Sequence, residues 1–358
     1  LVFCQSVKDK DYLLLVLENI EKCDAGITST VQLINALRRT RILKKISVLS
    51  YEIADGRGTE AIQSELNSLI ESYGTGNEPI DSAVETSQDF VNDDLDSLIN
   101  ETINTPGLRW RLDTLNKMLG SLRKGDFGFV FARPETGKTT FLASEVTYMA
   151  EQLTDDSGPI LWLNNEEQGS KVMLRCYQAS LGVDLSALYS NIASHKQKFT
   201  ENTKSKIKLY DSGIINKKTV ENLCQKYKPS LIIFDQLDKI TGFENDREDL
   251  KLGAIYQWAR ELAKQYCPVV AVCQADGSGE GVRWLTMANV ANAKTAKQAE
   301  ADFILGIGKV NDPGYDNLRF LHLSKNKLMG DSDTIPDQRH GRREVIIEPG
   351  IARYKDIG

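Results

Sequence analysis

Residues 132–141 read ARPETGKTTF. Gly137, Lys138 and Thr139 stand at the spacing of the GxxxxGK[ST] phosphate loop, with Ala132 where the first glycine is usual. Backbone N–H groups of such a turn, with the helix N-terminus after it, cradle the β- and γ-phosphates of a nucleotide. Gly137 lets the backbone come close. Lys138 brings positive charge to the phosphate oxygens, and the Thr139 hydroxyl suits Mg²⁺. With Arg133, Pro134, Glu135, Thr136 and Thr140, these form the candidate nucleotide-binding loop.

Three further positions could complete such a site. The apolar run 231–235 (LIIFD) ends on Asp235, so a carboxylate sits at the C-terminal tip of a buried strand. Ligands of parallel sheets bind at that edge, and Asp235 there could hold Mg²⁺ through water. The run ILWLNNEEQ carries Glu166 and Glu167 past another strand, where Glu166 could polarise an attacking water. Its alternative is a solvated loop glutamate. Gln274 ends PVVAVCQ and could hydrogen-bond a γ-phosphate and report its loss. Its alternative is a plain polar strand end.

Positioning these groups requires a sheet. The short apolar runs 127–132, 159–164, 206–211, 230–235, 268–274, 302–308 and 318–325 read as buried strands. Helical stretches separate them, which predicts an α/β domain with a mostly parallel, doubly covered sheet over 106–358. Residues 1–75 read as a small all-α region: Thr28, Ser29 and Thr30 offer N-cap chemistry, Gly56 and Gly58 punctuate, and 59–74 carries helical spacing. Residues 76–105 read as a linker. Its first part is rich in Gly, Asn, Pro and Ser, and 89–103 suggests a short acidic amphipathic helix.

Composition narrows the class. Of 358 residues, 41% are hydrophobic and 26% charged, as in ordinary globular proteins. No apolar run approaches the length of a membrane span. The six cysteines are scattered without a CxxC pair and the three histidines lie far apart, which argues against a zinc ribbon. Isolated thiols suit a reducing compartment and hence the cytoplasm. The net charge of −6 excludes a generally basic nucleic-acid binder but not a narrow basic strip.

The order of these motifs resembles the RecA-like core of the DnaB-type, superfamily 4 hexameric replicative helicases. ARPxxGKT is similar to that family's phosphate loop, including the missing first glycine. GLRWRLDTLNKMLGSLRKGDF (107–127) resembles its entry segment, LWLNNEE its glutamate-bearing strand end, IIFDQLDKI its Asp-bearing strand, and 245–274 its long helix and Gln-ended strand. NAKTAKQAEADFIL (292–305) is similar to the loop entering its last core strand.

The resemblance implies a RecA-like phosphate-loop fold that hydrolyses ATP, or another NTP, with Mg²⁺. It implies a homohexameric ring translocating on single-stranded DNA, in a bacterial or phage setting, with a primase or helicase loader as possible partner. In that family a Lys-x-Arg pair on a late strand reaches a neighbour's γ-phosphate. Here Lys325 matches and Lys327 replaces the arginine, which removes the bidentate fork; Arg339, Arg342 and Arg343 are the alternatives. The loops 239–250 and 275–294 are the expected DNA contacts. Lys294 could meet phosphate, beside Arg283, and Trp284 could stack a base or simply pack. Two other readings share the nucleotide site: a RecA-like recombinase, and a nucleotide-switched adaptor that does not unwind.

Overall fold

The computed structural model describes residues 27–75, 94–99, 106–244, 247–292 and 294–357. The chain divides into two compact units, Leu1–Val91 and Asn92–Gly358. Most of the stretch read as a linker, 76–93 and 100–105, lies outside the described residues.

In the first unit, α1 (Ile27–Ala54) and α2 (Glu60–Thr75) pack on each other. Thr28, Ser29 and Thr30 lie inside α1 rather than ahead of it. Gly56, at φ +75°, turns the chain in a left-handed conformation that costs glycine little. The Thr59 hydroxyl accepts the Ile62 N–H at 3.3 Å at the start of α2. Lys45 and Glu65 join the helices at 3.0 Å, a surface pair worth at most about 1 kcal/mol.

The second unit begins with α3 (Leu95–Ile99), within the acidic segment expected to be helical. It is built on one nine-stranded sheet: β1 (Phe127–Ala132), β2 (Ile160–Asn164), β3 (Ile207–Asp211), β4 (Leu231–Asp235), β5 (Val269–Gln274), β6 (Phe303–Gly308), β7 (Leu318–Asn326), β8 (Gly341–Glu348) and β9 (Arg353–Asp356). Their order is β3-β2-β4-β5-β1-β6-β7-β8-β9. The first six are parallel; β7, β8 and β9 add on antiparallel. This is the mixed α/β, mostly parallel architecture expected of a RecA-like core. All seven expected strands are present, and β8 and β9 extend the sheet beyond them.

Strand alternation makes two cores. Phe127, Phe129 and Phe131 of β1 enter one layer with Phe234 and Tyr256. Val130 and Ala132 enter the other with Trp110, Phe141, Trp162 and Tyr354. The helices covering these faces are α4 (Asp113–Leu119), α5 (Lys138–Gln152), α6 (Gly169–Leu181), α7 (Leu185–Ser190), α8 (Ile192–Thr203), α9 (Lys217–Tyr227), α10 (Glu248–Gln265) and α11 (Lys294–Glu300).

The entry segment before α4 is fastened to α5 by a buried carboxylate. Glu145 Oε2 accepts the Arg111 N–H at 2.6 Å and the Leu112 N–H at 3.4 Å. Burial pushes this carboxyl up to about 7, against the pull of Arg111 and those N–H donors. The folded protein therefore keeps a proton that the unfolded chain gives up at lower pH. The stability linked to that proton is full below about pH 4.5 and lost as pH rises through about 7. Glu145→Gln should thus gain roughly 3 kcal/mol on wild type between pH 4 and pH 8. Urea unfolding at the two pH values checks this; an equal difference at both contradicts it.

Candidate nucleotide site

Strand register brings the sequence motifs to one edge. Ala132 at the tip of β1 pairs with Gln274 at the tip of β5. Asp235 at the tip of β4 pairs with Asn164 of β2 on one side and Val272 of β5 on the other. The C-terminal ends of β1, β2, β4 and β5 thus carry the phosphate loop, Asn164 followed by Glu166, Asp235, and Gln274.

The loop 133–137 turns from β1 into α5, whose first residue is Lys138. Two residues take left-handed backbone, Glu135 at φ +59° and Gly137 at φ +106°. Arg133 leans outward: its guanidinium donates to the Ala275 carbonyl at 3.0 Å and to Glu280 at 3.0 Å. A crevice of about 190 Å³, lined by Arg133, Glu135, Thr136, Lys309 and Asn311 among others, borders the loop. Thr139 and Thr140 are half-buried in the first turn of α5.

Support for this loop comes from strands far beyond it in sequence. Arg319 on β7 is buried and donates to the Thr136 carbonyl at 2.7 Å. Tyr354 on β9 donates to the Gly137 carbonyl at 3.3 Å. A Cβ on Gly137 would stand 2.6 Å from Ile347 Cδ1 and 2.9 Å from the Tyr354 hydroxyl. Gly137 is thus required both by φ and by space. Gly137→Ala should cost at least about 1–2 kcal/mol for the left-handed backbone alone and weaken nucleotide affinity. Thermal unfolding and equilibrium nucleotide titration check this; wild-type values in both contradict it.

Lys138 is buried, and its Nζ donates to the carbonyls of Ala132 at 3.4 Å and Arg133 at 3.2 Å. Burial lowers its pKa, while Glu166 and Asp235 act in the opposite direction. Asp235 is buried too, and both its oxygens lack hydrogen-bond partners among the described residues. Burial, with Glu166 close by, raises this carboxyl to about 7. A buried carboxylate without donors asks for a cation. The donor chemistry of Asp235 with the Thr139 hydroxyl fits Mg²⁺, which keeps several waters and takes few protein ligands.

Glu166 is exposed at the tip of β2, and Gln274 Nε2 lies 3.5 Å from its Oε1. Its neighbour Glu167 is engaged otherwise, in a two-pronged ion pair with Arg175 of α6. Asn165 between the two strand tips clamps Gln236: its Oδ1 accepts the Gln236 N–H at 2.6 Å and its Nδ2 donates to the Gln236 carbonyl at 3.0 Å. The two carboxylate-bearing tips are thereby held in register with each other.

The remaining expected residues lie apart from this edge. Lys325 on β7 donates to the last carbonyls of α11, at Gln298 and Ala299, which cap that helix. Lys327 follows it and is exposed. Arg283 stands over the rings of Phe320 (5.0 Å) and Tyr315 (5.3 Å). Trp284 meets Phe320 edge-on at 5.1 Å and lies under Arg342 at 5.7 Å. Both therefore pack against the antiparallel end of the sheet. Lys294 is the first residue of α11.

No curated protein matches the chain in sequence. Among solved structures, one described as an ATPase domain superposes with a TM-score of 0.59 at 14% identity, over 84% of this chain and 100% of that one. A DnaB-like replicative helicase, described with its interactions with primase, superposes with a TM-score of 0.58 at 16% identity, over 96% of this chain and 83% of that one. A family model for an AAA domain matches residues 100–279, a span that opens ahead of the entry segment and takes in the phosphate loop, Glu166, Asp235 and Gln274. With half of its length in that match and the RecA-like fold of the DnaB-type helicases around it, the chain belongs to this AAA-domain family.

Proposed function

We propose that the protein is an ATP-driven DNA helicase that works as a hexameric ring on single-stranded DNA. One observation supports the hydrolysis: a phosphate loop, an unpartnered buried Asp235 and the Glu166–Gln274 pair meet at a single sheet edge; the ring and the DNA substrate rest on the likeness to a DnaB-like replicative helicase. The loop binds the β- and γ-phosphates through backbone N–H groups and Lys138. Thr139 and Asp235 would hold Mg²⁺, which supplies positive charge to the phosphates when bound. Glu166 orients the attacking water and draws its proton, and Gln274 hydrogen-bonds the γ-phosphate.

Hydrolysis also calls for a cation from the neighbouring subunit. Lys327 is proposed for that role, because it is exposed while Lys325 is turned onto its own α11. DNA contacts are assigned to the loops 239–250 and 275–294, with Arg283, Trp284 and Lys294 as candidates. Domain roles follow the same reading: 1–75 as helical ring scaffold, 76–105 as linker, 106–358 as motor. The DnaB-like helicase of similar fold is described with primase, so a primase is a candidate partner. No described helix is long and apolar enough to cross a membrane, in keeping with work in the cytoplasm.

The lysine at position 327 leaves a second reading, a nucleotide-switched adaptor or RecA-like recombinase. Electron microscopy with ATP and oligo-dT separates them. Closed or lock-washer hexamers are expected. Filaments would favour the recombinase, and monomers the adaptor.

A further inference from the structure

A buried polar knot lies beside the nucleotide edge. Lys297 on α11 is fully buried. Its Nζ donates to Asp238 Oδ2 at 2.6 Å and to the Ala291 carbonyl at 2.9 Å, and it stands 5.4 Å from the Tyr256 ring centroid. The Tyr256 hydroxyl donates to the other oxygen, Asp238 Oδ1, at 2.9 Å. Both Asp238 oxygens are thus engaged by donors from two different helices. Burying an ion pair is costly unless its hydrogen bonds are filled, and removing one partner strands the other charge. Such an arrangement fixes geometry more than it adds stability.

What it fixes are the two segments that leave the nucleotide edge. Asp238 sits in the 3-10 turn Leu237–Lys239 just past Asp235. Gln236, between them, is the residue that Asn165 clamps beside Glu166. Ala291 is held from both sides: its N–H donates to the Gln274 carbonyl at 3.0 Å, and its carbonyl accepts Lys297. The loop between Gln274 and Ala291 is closed at its base, where the Asp276 N–H donates to the Asn289 carbonyl at 2.8 Å and Ala275 bridges Val290. One lysine therefore joins the segment after β4 to the far end of the loop after β5. The β5 tip already holds Ala291 directly, so what the lysine adds is a route from the β4 segment to the far end of that loop.

We propose that Lys297 is a positioning residue that couples the nucleotide edge to the loop 275–291 through Asp238 and the Ala291 carbonyl; the nucleic-acid side of this coupling rests on the helicase reading above. Lys297 touches neither phosphates nor attacking water, so its loss should spare basal turnover and remove the response.

The test compares wild type, Lys297→Met and Tyr256→Phe, each checked for folding by thermal unfolding. Lys297→Met should keep basal ATP hydrolysis within about twofold and lose about tenfold of its stimulation by oligo-dT. Tyr256→Phe removes one hydroxyl only and should lose about threefold of the stimulation. It decides the question if Lys297→Met does not fold. In parallel, hydrogen exchange should show ATP slowing amides of 275–291 in wild type but not in Lys297→Met, with protection of the phosphate loop equal in both. Wild-type stimulation in the folded variants overturns the coupling. So does exchange over 275–291 that ATP leaves unchanged in wild type, or slows equally in Lys297→Met. A wild-type ATPase that ignores oligo-dT contradicts the helicase reading instead, and the exchange comparison then judges the coupling by itself.

Discussion

Glu166→Gln should bind ATP as wild type does and turn it over about 100- to 10,000-fold more slowly, the usual worth of a positioned general base. The expectation rests on how the carboxylates at this edge are engaged. Glu167 is spent on Arg175. Asp235 is buried with both oxygens unpartnered among the described residues, which suits a cation ligand better than a base facing water. Glu166 alone of the three is exposed, with the Gln274 amide beside it. Glutamine keeps the size and the hydrogen-bonding reach and removes the proton acceptor. Steady-state hydrolysis paired with nucleotide titration reads the two quantities separately. Turnover within a few-fold of wild type would move the base elsewhere, with Glu167 next in line.

Lys138→Ala should lower hydrolysis by about 100- to 1,000-fold, the scale of losing one preorganised electrostatic contact to developing charge. ATP affinity should fall with it, because the same ammonium meets ground-state phosphate. Lys138 is the buried cation of the loop, and it also donates to the Ala132 and Arg133 carbonyls. Its removal therefore deprives the loop of charge and of two internal hydrogen bonds. Lys138→Met, of similar length and no charge, separates the two effects: hydrolysis should be equally lost while thermal stability stays nearer wild type. A Lys138→Met protein that hydrolyses ATP normally would contradict the site.

Much of this was legible in the sequence because local pattern and chemistry agree. The parallel strands are short apolar runs buried on both faces, and the groups read as chemical stand at or just past their ends. Register then does the rest, bringing Ala132 level with Gln274 and Asp235 level with Asn164. The parts that were not legible depend on distant partners. β8 reads GRREVIIE, and its four charged residues mask a strand whose inward positions are Val345 and Ile347. The carbonyl contacts of Arg319 and Tyr354 join residues more than 180 positions apart, and no local spacing announces them. The same holds for Lys325: its position matches the expected trans-acting pair, and no local spacing announces that its ammonium lies on the carbonyl end of α11. Trp284 had two readings, and here its ring meets Phe320.

The central claim is that nucleotide hydrolysis at this edge drives strand separation. The most direct measurement is unwinding of a forked DNA duplex, followed by strand-displacement fluorescence with ATP and Mg²⁺, for wild type and Lys138→Ala side by side. The account predicts ATP-dependent unwinding by wild type and none by Lys138→Ala. Unwinding that persists in Lys138→Ala, or wild-type hydrolysis that separates no strands, would contradict it.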